Sequence, residues 1–176
     1  MLSSDAGEDA TRLAADLIAL DTTNPDLVPG APGEGAAVEL LRSRLTRAGF
    51  TTHVLTPDEH GDRPSLVAYP SGSEGLPTAM LNGHLDTVGP GAMVEPHTAR
   101  IVGDRMLGRG AADMKAGVAA LVVAAERAAA SGRVRPVLAL VADEEDASVG
   151  SETVIAALPA LGIRPEVCLI AEPTDM

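Results

Sequence analysis

The sequence predicts an α/β domain, a mixed, mostly parallel sheet with helices on both faces. Two observations carry this. Short apolar segments bounded by Pro, Gly and Asp alternate with longer segments of helical spacing, and the later ones fall in strand–helix–strand order. The composition, 45% hydrophobic, 22% charged and 1% aromatic, is that of a globular chain with a core of Ala, Val, Leu and Ile. With 176 residues, no repeat and no low-complexity tract, one domain is expected.

Between Asp9 and Leu20, Leu13, Ala14, Leu17 and Ile18 recur at helical spacing, and the turn-forming run Asp21 to Pro25 stops them. After a Pro/Gly-rich loop, Val38, Leu41 and Leu45 mark a second amphipathic helix that Gly49 can cap. The period then changes. Phe50–Leu55, Ser65–Tyr69 and Thr78–Asn82 read as buried strands. Thr98–Val102 and Met106–Leu107, joined by Gly103 and Asp104, read as a small hairpin. Asp113–Ala130, Ala-rich and free of Gly and Pro after Gly117, reads as a long buried helix. Arg135–Ala142 and Glu166–Ala171 are further strands, separated by a helix around Glu152–Leu158.

Twenty-five acidic against 13 basic residues leave a net charge of −12, which argues against a nucleic-acid partner, because counterion release needs a cationic face. Cys168 is the only cysteine, so no intramolecular disulfide forms; within Val167–Ile170 it reads as a buried small hydrophobe. The N-terminal run lacks the basic and apolar regions of a secretory signal, and Ala116–Ala125 is half a membrane span. A cytoplasmic protein without a membrane partner is expected.

Four segments carry chemistry. His84 and Asp86 follow a strand and, two residues apart on an extended chain, project from one face. A metal-bound imidazole needs its other N–H held by an acceptor, which Asp86 can supply; alone, the pair also fits an ordinary polar surface. Gly108–Gly117 joins a strand-like segment to the long helix. It offers Gly-x-Gly but places Asp113 where a dinucleotide fingerprint needs glycine, which leaves a helix cap or a bridging metal ligand. Asp143-Glu144-Glu145-Asp146 follows the apolar strand Val137–Ala142; it reads either as a solvated turn or as ligands at the carboxyl end of a strand, where open α/β sheets bind them. Glu172 also ends an apolar strand. Taken together, one imidazole and several carboxylates at strand ends suit zinc, cobalt or manganese.

The sequence resembles the family of co-catalytic zinc metallopeptidases and amidohydrolases that includes acetylornithine deacetylase, succinyl-diaminopimelate desuccinylase, the glutamate carboxypeptidases and aminoacylase. The resemblance is carried by Gly83-His84-Leu85-Asp86-Thr87-Val88, by Gly108 to Lys115, by Asp143-Glu144-Glu145 and by Ala171-Glu172-Pro173-Thr174. Thr23-Asn24-Pro25 and Arg63 to Ala68 match more softly. It implies two divalent metal ions, with zinc first and cobalt or manganese as alternatives. His84 and Glu172 would bind one ion, Glu145 the other, and Asp113 would bridge both. Asp86 would orient His84, and Glu144 would be the general base for a water held between the metals. The implied substrate is an N-acyl amino acid, an N-acyl diamine or a dipeptide-like molecule. A cis peptide after Asp113 is implied too.

Family members are longer. They insert a lid, often also the dimer contact, after the Glu-Pro-Thr segment, then return to complete the sheet and supply a final histidine. Residues 1–176 are therefore expected to be the N-terminal part of a metallopeptidase catalytic domain, without the lid or dimerisation domain and the C-terminal catalytic segment. His53, His60 and His97 precede the bridging acid and read as structural or solvated. The alternative to a complete hydrolase is a truncated, noncatalytic fragment that binds at most one divalent ion. The runner-up enzyme reading, a serine hydrolase of α/β type, rests only on fold class, since no Gly-x-Ser-x-Gly occurs.

Overall fold

A five-stranded sheet in the order β1-β2-β6-β3-β7 organises the protein, whose computed structural model describes residues 4–57 and 61–174. The strands are β1 (Phe50–Leu55), β2 (Ser65–Pro70), β3 (Thr78–His84), β6 (Arg135–Val141) and β7 (Val167–Ile170); β4 (Arg100–Val102) and β5 (Arg105–Leu107) form the separate hairpin. β3 pairs parallel with both β6 and β7, whereas β2 pairs antiparallel with β1 and β6. The expected mixed α/β sheet is therefore present, with its parallel part where the chain crosses over through helices.

Three helices cover one face. These are α1 (Ser4–Ile18), α2 (Gly35–Arg47) and α3 (Ala116–Ser131); α4 (Val149–Ala157) covers the other. Alternation along the strands divides the core accordingly. Leu66, Ala68, Leu138 and Leu140 meet Leu13, Leu17, Leu41 and Val122 on the three-helix side. Val67, Val137, Ala139 and Val141 meet Val154, Leu158 and Ile163 on the α4 side. β6 is buried along its whole length, which explains why Pro136–Val141 is continuously apolar instead of alternating. Arg44 of α2 binds Asp9 of α1 and Glu126 of α3 at 2.7 Å each, tying the three helices together at their rim.

Three expectations change. The first helix begins at Ser4, ahead of its apolar stripe. The long helix does not begin at Asp113: Ala111–Lys115 is a π-type turn in which Asp113 (φ −122°, ψ 100°) and Met114 are non-helical, and α3 starts at Ala116. Outside helical geometry, Asp113 places Oδ1 2.9 Å from His84 Nε2. Cys168 is exposed, since β7 lies at the edge of the sheet and its residues carry no covering layer among the described residues. His60 lies outside the described residues. No helix among them is long and apolar enough to cross a membrane.

Leu138 sits in the central strand with no exposed surface. Leu138→Ala should cost about 2–5 kcal/mol of unfolding free energy in a urea titration, whereas Ile155→Ala, at a side chain 63% exposed, should change it little.

Candidate metal centre

Register brings the four segments to one edge. His84 is the last residue of β3 and pairs with Val141, so Asp86 and Asp143 lie level two residues further on. On the other side Asn82 pairs with Ile170, and the same extension brings Glu172 level with His84. β3 thus ends between the two strands that deliver the acids, at the carboxyl edge of the parallel part of the sheet.

Asp113 arrives from the π-type turn. Gly110, which precedes that turn, has φ +77°, and a Cβ there would stand 2.8 Å from the Thr87 methyl and 2.9 Å from Lys115 Cδ. Only glycine meets both constraints. The Asp113–Met114 peptide is cis, as the resemblance implies. At Gly117 a Cβ would meet the Ala171 carbonyl oxygen at 2.6 Å, so the start of α3 rests directly on the segment that carries Glu172.

Among the described residues His84, Asp113 and Glu172 form a cluster whose ligand atoms lie within 4.8 Å of one another. His84 Nε2 is 2.9 Å from Asp113 Oδ1, 3.5 Å from Glu172 Oε1 and 3.9 Å from Glu144 Oε2. The imidazole is buried, while the three carboxylates reach solvent. His84 Nδ1 lies 3.0 Å from the main-chain carbonyl of Asp86 and 3.4 Å from its carboxylate. With Nδ1–H donated there, Nε2 keeps its lone pair for a cation. One imidazole nitrogen with carboxylate oxygens at this separation is a donor set that fits a divalent ion.

Glu145 stands apart from the three. Its Oε1 accepts the Val88 N–H at 3.3 Å, and with Asp113, Thr87 and Arg109 it lines a cavity of about 160 Å³. A larger cavity of about 340 Å³ lies between α1 and the hairpin, away from this chemistry and lined mainly by apolar side chains. His53 Nε2 bonds Tyr69 Oη at 3.0 Å and His97 Nε2 lies 3.5 Å from Asp21, both away from the cluster.

Beneath the cluster lies a buried polar layer. The Asp86 carboxylate accepts the main-chain N–H groups of Glu144 and Glu145 at 3.1 and 3.2 Å and the Asn24 amide at 2.8 Å. Asn24 also donates to Asp143 at 2.9 Å. Arg63, fully buried, binds Glu34 at 2.7 Å, Asp143 at 3.0 Å and Asp26. Of this layer the sequence reading singled out only Asp86. Asn24 and Arg63 lay within the softer motif matches, Asp143 within the acidic run, and Glu34 carried no signal, because burial of a polar side chain is a tertiary property.

Electrostatics follow from this packing. Burial opposes the charged form of His84, yet hydrogen bonds to Asp86 and Asp113 and the Glu172 charge lift its pKa to about 9. Burial would raise Asp86, but His84 and the Glu144 N–H hold it below its ordinary value. Glu145 and Glu172 are raised by burial and by neighbouring carboxylates, Asp113 foremost. Lys115, buried with Nζ donating to the Leu20 carbonyl at 2.8 Å, is pushed down to about 8 by desolvation.

The metal-free chain should show the consequence. A pKa of about 9 for folded His84, above the ordinary 6.5, means that protonation stabilises the fold fully below about pH 6.5 and that this contribution is lost as pH rises through 9. Lys115 acts with opposite sign, gaining stability only as pH rises above about 8. Urea unfolding in chelator should therefore show stability falling from pH 6.5 to 8, and His84→Gln should flatten that slope.

Comparison with known proteins adds an independent line. Residues 80–176 match the profile described as Peptidase family M20/M25/M40. Succinyl-diaminopimelate desuccinylase of Zymomonas mobilis is 34% identical over 170 residues, 96% of this chain and 43% of the relative. The enzyme of the same name from Dinoroseobacter shibae is 37% identical over 177 residues, 94% of this chain and 43% of the relative. The chain thus spans less than half the length of these curated relatives. In structure, the metallo-carboxypeptidase Sso-CP2 of Sulfolobus solfataricus has a TM-score of 0.76 at 17% identity, over 93% of this chain and 37% of that one. Human carnosine dipeptidase 1 has 0.72 at 20%, over 93% of this chain and 38% of that one. These two show the same fold.

Proposed function

The chain belongs to Peptidase family M20/M25/M40, and from that premise we propose that it supplies the metal-binding part of a hydrolase that cleaves an amide bond. The observation that carries the reading is the convergence of His84, Asp113 and Glu172 within 4.8 Å at the carboxyl edge of the sheet, with Glu144 3.9 Å from the same imidazole nitrogen. In this reading His84 and Glu172 would hold one ion and Glu145 the other, with Asp113 shared between them. When bound, two divalent ions, zinc first with cobalt or manganese as alternatives, polarise the scissile carbonyl and acidify the attacking water.

The chain's own residues do the rest. Glu144, exposed on one side and facing the cluster on the other, takes the proton of the attacking water and returns it to the departing amine. Asp86 anchors the turn that carries Glu144 and Glu145 through their main-chain N–H groups and also faces His84 Nδ1. The products are an amine and a carboxylate. The names of the relatives favour an N-succinylated diamino acid within the broader class of N-acyl amino acids and dipeptide-like substrates. A cytoplasmic location belongs to the same proposal.

We further propose that residues 1–176 form the N-terminal part of the catalytic domain. The relatives' additional length and the uncovered apolar edge of β7, where Val167, Leu169 and Ile170 are each at least 50% exposed, support this. A chain that brings three ligands into one cluster and leaves Glu145 apart would bind a first ion much more readily than a second.

Two measurements test the reading. Isothermal titration of the chain with zinc should show one tight site that His84→Ala removes; unchanged binding by that variant would sink the metal assignment. Turnover of an N-acyl amino acid by the zinc-loaded 176-residue chain should fall on the order of 10³-fold or more below that of a full-length relative, because residues acting as a unit lose far more than their share when some are missing. Equal turnover would show that the chain suffices. In a polypeptide that does turn over, Glu144→Gln should remove activity and keep the zinc.

A further inference from the structure

We propose that Asn24 is a positioning residue that sets the distance between the His84 strand end and the Glu144–Glu145 turn. The inference rests on the metal-binding reading of this site and adds a residue to it. Asn24 is fully buried in the loop after α1, with no place in the ligand cluster. Its amide nitrogen has two hydrogens and uses both, one on Asp86 at 2.8 Å and one on Asp143 at 2.9 Å. Asp86 lies two residues past His84, and Asp143 immediately precedes Glu144. One carboxamide therefore spans the ends of two adjacent parallel strands beyond the last pair of their ladder, His84 with Val141.

Every other atom of the link is held in turn. Asn24 Oδ1 accepts the Asp26 N–H at 2.9 Å, and its main-chain N–H donates to the Thr87 carbonyl at 2.9 Å. Asp143 is braced by Arg63 at 3.0 Å and by the Val149 N–H at 3.3 Å, while its own N–H donates to Glu34 at 3.2 Å. Two buried carboxylates facing each other need a donor between them that carries no negative charge. A carboxamide nitrogen offers two N–H groups from a single atom without adding a charge, and here both are used.

Cobalt titration of the chain, followed by visible absorption and by competition with a chelator, tests this. Asn24→Ala should weaken cobalt binding about 10–100-fold and shift the absorption bands, with the far-UV circular dichroism retained. If that variant does not fold, Asn24→Ser, which offers one donor in place of two, should show the same shift in smaller measure. In an Asp86→Ala background the Asn24→Ala change should cost less than about threefold, because its path to the metal is already cut. Arg44→Ala, which loosens the helices far from the site, should lower the melting temperature and leave both affinity and spectrum alone. Wild-type binding by the Asn24 variants, an undiminished loss in the Asp86→Ala background, or an equal loss in Arg44→Ala would each overturn the proposal. Should the wild-type chain take up no cobalt, or His84→Ala bind as wild type, the metal reading itself falls and the inference with it.

Discussion

The parallel register of β3 with a strand on each side is the constraint from which the site follows. A parallel ladder brings strand ends to a common level, and here that level holds His84 between β6 and β7. Had β3 been an edge strand, one set of acids would have lain a full strand spacing further away. Because α3 connects β3 to β6 and α4 connects β6 to β7, the crossovers also place the Asp113 turn above the same edge.

Charge explains why this edge needs so much support. Glu34, Asp86 and Asp143 are all buried, and Arg63 is the guanidinium that sits among them. Above them Asp113, Glu144 and Glu172 face one imidazole while Glu145 stands apart at the Val88 N–H, and burial together with neighbouring carboxylates raises Glu145 and Glu172. Such a concentration of acids is unfavourable for the fold alone. A bound cation would offset it, and the violation of ordinary burial rules coincides with the candidate metal centre. Main-chain donors, the Asn24 amide and Arg63 hold Asp86, Asp143 and Glu34 in place.

Local irregularity serves the same end. Asp113 abandons helical geometry one turn before α3, Gly110 permits the turn and Gly117 lets α3 rest on the Glu172 segment. Each departure from a regular element faces the cluster. The hairpin and the two helix-covered faces of the sheet follow ordinary patterning.

Period and punctuation in the sequence determined the elements: β1 and the two-residue turn of the hairpin lie where the bounding Pro, Gly and Asp residues and Gly103-Asp104 put them, although β1, at the sheet edge, is only partly buried, and the boundaries of the other strands moved by only a few residues. The motifs, through the resemblance they carry, also grouped His84, Asp113, Glu144, Glu145 and Glu172; the fold brings His84, Asp113 and Glu172 together with Glu144 beside them and leaves Glu145 apart. Strand order and depth were decided only in three dimensions. Periodicity marks Cys168 as apolar but cannot tell a central strand from an edge one, and composition cannot distinguish an exposed Asn or Arg from the buried Asn24 and Arg63. Those properties depend on contacts between residues as distant in the chain as Asn24 and Asp143, which no local pattern encodes.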